Sequence, residues 1–280
     1  MRGLAEYVMS GRRQAATVAV LFGLIPMLNL LSGAVVALVM LRKGTQEGFL
    51  IMMWALLPAG LQWLVGDTAA VFMVVGVAVL SYWLRRTQSW QQVLLLATVL
   101  GLLLQMSLPL QTEYVANIQG LLDRLLEGGG AIPGTANGLT IEDAKTQMLA
   151  LWLSFYGVEH MLVFTGCLML GRYWQAMLYN PGGFLQEFHN LRVDPKVMGV
   201  LLVLMLLGLA GLPPLNDWMM VFGVVPGLCG LAVAHHVAAT CKLGTGWLVL
   251  TYMLALLLTP VIVLLGFADA LLDIRKRMTK

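Results

Sequence analysis

Charge is what this chain has least of: Asp, Glu, Lys and Arg make up 11% of its 280 residues, against 59% hydrophobic ones. A soluble domain carries roughly 25% charged residues, so this sequence cannot furnish an ordinary water-facing surface. Cysteine is also scarce: Cys167, Cys229 and Cys241 form no CxxC pair, and their odd number excludes a disulfide framework. No GxSxG, P-loop or GxGxxG segment occurs, so the chain carries no ATP-hydrolysis machinery of its own. No complete catalytic set is visible; we expect a non-enzyme without cofactor or metal. The net charge of +3 is spread over short loops and tails, which suits membrane orientation and not nucleic-acid binding.

What the chain has instead is long apolar runs, at 14–41, 47–66, 68–84, 90–110, 147–170, 196–214, 218–240 and 245–268. Each could cross a bilayer as a helix. The fold class expected is all-α: a polytopic transmembrane helical bundle, one integral membrane domain over residues 1–280. The first run follows Arg12 and Arg13 and is too long for a signal peptide, with many spans after it, so it reads as retained.

Lysine and arginine decide how the runs are threaded. If all eight cross once, the two sides hold eight and nine basic residues, against the positive-inside bias. If the first and last runs return to the side they left, the split becomes fifteen against two. Breakers stand where such returns need them: Pro26 with Asn29, Ser32 and Gly33 in the first run, and Thr259, Pro260 and Gly266 in the last. We therefore expect about six full spans plus two kinked or broken segments, with both termini cytoplasmic.

Two polar segments interrupt the runs. The 111–147 loop is acidic and should lie outside the cytoplasm; within it Ile118, Leu121, Leu122, Leu125 and Leu126 predict an amphipathic surface helix. The glycine-rich stretch 128–138 reads as a flexible loop, and Thr140 with Asp143 as an N-cap. The 171–195 segment should be cytoplasmic and interfacial. Arg172, Tyr173, Trp174 and Tyr179 suit the headgroup level, Asn180, Pro181, Gly182 and Gly183 signal a turn, and a short two-faced helix follows over Phe184, Leu185, Phe188 and Leu191. Such an elbow either anchors the bundle or docks a cytoplasmic partner through Arg172, Trp174, Asn180, Pro181, Gly182, Gly183, Phe184, Phe188 and Arg192.

The string WQAMLYNPGGFLQEFHNLR resembles a recurring segment of the YybS-like bacterial membrane proteins, as do LSGAVVALVMLRKG (31–44), GLAVAHH (230–236) and GFADALLDIRKR (266–277). Together these reach across most of the chain. The resemblance implies the bacterial inner membrane, and a distant likeness to substrate-binding subunits of energy-coupling-factor transporters. That likeness implies a compact bundle with a substrate pocket and a membrane coupling subunit with ATPases as partner. In those subunits small residues four apart on the first helix meet the partner, and Ala15, Ala19 and Gly23 have that spacing here; Ala55 with Ala59 and Gly223 with Gly227 match it equally well, so internal packing is the favoured alternative.

Ionisable groups within spans are costly and so carry information. Glu159 lies in the 147–170 run and is expected to face the bundle interior; with His160 and Asn29 it makes the candidate substrate-binding set, under the outer loop. His235 and His236 are adjacent, so they diverge round a helix and suit helix pairing better than a shared metal. Asp269 and Asp273 share a helical face ahead of Arg275, Lys276 and Arg277, and read as a solvated helix end, with pairing of Asp269 to those basic neighbours or to Arg42 and Lys43 as the alternative.

Overall fold

The computed structural model describes residues 1–128 and 141–278, so the glycine-rich 129–138 stretch and Thr140 lie outside the described residues. The all-α expectation holds: the described residues form helices and no strand. In chain order these are α1 (Arg2–Ser10), α2 (Arg12–Gly23), α3 (Asn29–Lys43), α4 (Thr45–Leu64), α5 (Ala69–Thr87), α6 (Trp90–Ser107), α7 (Thr112–Gly128) and α8 (Ile141–Ser154). After them come α9 (Tyr156–Tyr179), α10 (Gly183–His189), α11 (Pro195–Leu209), α12 (Leu215–Thr240), α13 (Thr245–Leu257), α14 (Thr259–Leu272) and α15 (Ile274–Met278). Five stretches are long and apolar enough to cross a bilayer: α4, α5, α6 with its 3-10 extension to Leu110, α8 with α9, and α12. The apolar α11 is shorter, at 15 residues.

The first run is a helical hairpin. Pro26–Leu28 form a 3-10 turn, and α3 runs back along α2, with the Ser32 hydroxyl donating to the Ala19 carbonyl at 2.8 Å. Arg12 at the start of α2 pairs with Glu47 just past the end of α3, so both ends of the hairpin lie at one face. Its tip is tied to α4: the Gln62 amide donates to the Gly23 carbonyl at 2.6 Å and accepts from Asn29 at 2.9 Å. Gln62→Leu would strip both bonds from part-buried groups, and we expect a loss of about 1–3 kcal/mol. Thermal unfolding in detergent checks this; an unchanged midpoint would mean that other contacts hold the tip.

The last run is broken too, since α13 and α14 meet at Leu258 with a bend of 109°. The Tyr252 hydroxyl lies 2.9 Å from His235 Nε2, which lays α13 beside the end of α12. Helix α14 then returns parallel to α12. A Cβ on Gly230 would meet the Ile262 carbonyl, and one on Gly266 the Pro226 carbonyl. Each glycine thus faces the carbonyl four residues before the other, the reciprocal contact of two parallel helices crossing at small residues.

Other contacts gather the basic loops at the face that holds the hairpin ends. Arg85 donates to the Leu41 carbonyl, Arg42 stacks 3.9 Å above the Tyr179 ring, and Arg275 donates to the His189 carbonyl. Helix α7 caps the opposite end, as its leucine spacing predicted, with Lys145 of α8 paired to its Asp123 at 2.6 Å. Between the two ends α3 and α9 form the core: every residue from Ser32 to Leu41 is buried, and a stripe on α9 through Met161, Phe164, Leu168, Gly171 and Trp174 packs on it. Gly171 permits this approach, since a Cβ there would meet the Ala34 carbonyl at 2.9 Å.

Candidate functional site

At the basic face the chain after α9 turns through Asn180 to Gly183, where Gly182 adopts φ +85, and α10 folds back over the end of α9. This brings Glu187 onto Arg172. The Arg172 Nε donates to Glu187 Oε2 at 3.0 Å, its Nη2 reaches Oε1, and its Nη1 reaches Gln175. The Trp90 indole N–H donates to the same Oε2 at 3.1 Å. Beside this group lies a cavity of about 380 Å³, lined by Arg85, Gln88, Trp90, Arg172, Gln175 and Glu187 over an apolar floor of Leu41 and Leu84. Arg85 gives one N–H to the Leu41 carbonyl at 2.6 Å. Its other donors have no protein partner among the described residues. Gln88 closes α5 in the left-handed conformation and donates to the Arg85 carbonyl at 2.9 Å.

The far end of α10 is latched to the last run. Arg275, 6% exposed, forks onto the Asp269 carboxylate at 2.7 and 3.0 Å and donates to the carbonyls of His189 and Leu191. Asp269 is 1% exposed, which corrects the expectation of a solvated helix end. Arg192, part-buried, reaches both Asp269 and Asp273 and so joins this network. The sequence shows four-residue carboxylate spacing but not that residues 189–192 fold beneath it.

Several predicted site residues land elsewhere. Glu159 is exposed in the first turn of α9, not interior: the chain breaks at Phe155, so the carboxylate sits where the helix dipole favours it. His160 is buried among Phe72, Tyr156 and Phe164, with Nδ1 2.8 Å from the Tyr156 carbonyl, so side chains fill the space where a pocket was expected. Asn29 holds the hairpin tip. Ala15, Ala19 and Gly23 are buried between α3 and α4, Gly23 against Pro58, because a returning hairpin turns that stripe inward. Trp174 is fully buried on the α9 core stripe and so does not present its ring at the surface; its spacing from Phe164, Leu168 and Gly171 is the signal that carries it there. Of the segment's other residues, Asn180, Pro181 and Gly182 are exposed, Gly183 is buried, and Phe184 and Phe188 stack on each other at 6.1 Å.

A histidine cluster lines the inner side of α10. The His189 ring lies 6.3 and 6.2 Å from those of His235 and His236. Burial, then these two neighbours, hold its pKa below the usual 6.5. The unfolded chain therefore takes up the proton first, and native stability falls as pH drops below about 6.5. We expect the α10 amides to lose hydrogen-exchange protection as pH falls below about 6.5, and His189→Phe to flatten that dependence. Among the described residues no group of three or more His, Cys, Asp or Glu is placed to hold a metal ion.

Comparison of the chain with family models, with curated proteins and with solved structures returns no match.

Proposed function

We propose that this is a small-molecule-binding membrane subunit whose chamber is the cavity between Arg85, Gln88, Trp90 and Arg172. The observation that carries the reading is the convergence of charged and amide side chains from α5, α6, α9 and α10 on one concave site in a molecule with so little charge. Its lining is mostly polar, with only Leu41 and Leu84 apolar, and so suits a polar or charged molecule. The basic face would be cytoplasmic by the positive-inside bias, in a bacterial inner membrane, so the chamber opens inward. Active transport would then need partner subunits to supply ATP hydrolysis, consistent with the likeness to YybS-like and energy-coupling-factor proteins.

The competing reading, a scaffold that docks a cytoplasmic protein through 171–195, draws on the exposed Tyr173, Tyr179 and Leu185. Native mass spectrometry of the affinity-purified protein separates the two. A stoichiometric small molecule lost on Gln88→Leu supports the chamber. Its absence, with a cytoplasmic protein bound and lost on Leu185→Asp, supports the scaffold.

A further inference from the structure

We infer that the cavity takes a phosphoryl group, held between Arg85 and Arg172, and that Glu187 is an internal carboxylate which this group displaces; the inference rests on the chamber reading above. Two cationic side chains and one carboxylate line the space. Arg42, Lys43 and Arg86 lie next to the lining residues along the chain and raise the local potential further. The lining is therefore one negative charge short of balance, and an anion supplies it.

Glu187 shows what the site can hold. Its two oxygens sit in the guanidinium fork of Arg172 while the Trp90 indole donates to one of them. Three donors on one oxyanion make a charge-assisted site, and a planar fork of this kind suits carboxylate and phosphate alike. Arg85, across the same cavity, satisfies one carbonyl and keeps its remaining donors for the space between. Each carboxylate of a ligand, including each end of a dicarboxylate such as succinate, would bring to an arginine only the single charge that Glu187 brings and compete with a group tethered at high effective concentration. A phosphoryl group brings a charge between −1.5 and −2 and three acceptor oxygens at neutral pH, enough to engage both arginines at once.

The carboxylate can also leave without unfolding the bundle. It rides on α10, which has seven residues, with a glycine turn at one end and the Arg275 latch at the other. Displacing Glu187 need move only its side chain, since Phe184 packs on Trp90 and Tyr173 and Phe188 on His235 while both ends of α10 stay fixed.

The test is calorimetric titration of the full chain in a neutral maltoside detergent with inorganic pyrophosphate, and with succinate as a carboxylate control. Wild-type protein should bind pyrophosphate and not succinate. Glu187→Gln should tighten binding about tenfold, some 1.4 kcal/mol, and Arg85→Gln should weaken it at least as much. Trp90→Phe, which loosens Glu187 without removing it, should tighten binding less and serves if Glu187→Gln does not fold. Repeating the titration in phosphatidylcholine nanodiscs with and without phosphatidylglycerol identifies the source of the group. Binding unaffected by the anionic lipid marks a soluble phosphorylated ligand, and binding lost only when it is present marks a lipid headgroup; both support the inference. Equal binding of succinate, weaker binding by Glu187→Gln, or no response to pyrophosphate or to phosphatidylglycerol would overturn it. A bound neutral or cationic molecule lost on Gln88→Leu would overturn it while leaving the chamber intact.

Discussion

Arg275→Gln should destabilise the protein by about 3–5 kcal/mol, because it leaves a buried carboxylate with only the longer ion-pair contact to Arg192. The Asp269 side chain is 2% exposed and takes both of its short ion-pair contacts from Arg275, while Arg192 stands off at 3.4 Å. Two further bonds go with the guanidinium, those to the carbonyls of His189 and Leu191, so the far end of α10 should come loose in the same step. Thermal unfolding in detergent reads the first effect, and limited proteolysis across 180–195 reads the second. The pair Asp269→Leu with Arg275→Met should recover most of the loss, since a buried ion pair replaced by apolar groups of similar volume is often neutral. A residual deficit of about 1–3 kcal/mol is expected from the two bare carbonyls. If Arg275→Gln alone is silent, water reaches Asp269 and the latch is not dry.

An equally large effect is expected one layer deeper, at the crossing of α12 and α14. A Cβ at Gly266 would stand 1.9 Å from the Pro226 carbonyl oxygen, and one at Gly230 2.0 Å from that of Ile262. Both obstacles are backbone, so no side-chain rotation relieves them and the helices must part. Gly266→Ala should therefore cost about 3 kcal/mol or more, at the upper end of what overpacking does, against the roughly 1 kcal/mol that alanine returns in helix propensity. Gly227→Ala is the control: its Cβ would meet only Val263, at 3.6 Å, an ordinary contact. Folded yield and thermal midpoint of the two variants give the comparison. Equal behaviour would mean that the crossing is looser than the carbonyl distances require.

Much of the architecture is legible in composition and spacing. The apolar runs became helices, Pro26 and Pro260 fall at real breaks, Asp194 caps α11 by accepting from the Lys196 amide at 2.8 Å, and the leucine spacing after residue 117 became α7. Lysine and arginine counting points to interruptions in the first and last runs, because the cost of crossing a membrane is written into each residue separately, and the first run folds as a hairpin while the last bends by 109°. The site is another matter. Glu159 drew notice as a charge inside an apolar run, yet a single break at Phe155 moves it to a helix start, and periodicity does not register a one-residue interruption. Trp174 looks interfacial by itself, and only the direction in which α9 faces the bundle turns it inward.

By itself, then, the sequence determined the solvent this protein folds in, the number and character of its apolar segments and where they break, since those follow from transfer energies and backbone preferences local to each stretch. Tertiary structure alone decided that Glu187, Trp90, Arg172 and Arg85 share one cavity, and that Asp269 meets Arg275, Arg192 and the carbonyls of residues 189 and 191. These partners lie up to about a hundred positions apart, and Trp90 and Glu187 are 97 apart. No periodicity spans such a distance. They meet because α9 must lay its stripe on α3 and because α10 must then turn back at Gly182, which is a property of the packed bundle and not of any one segment.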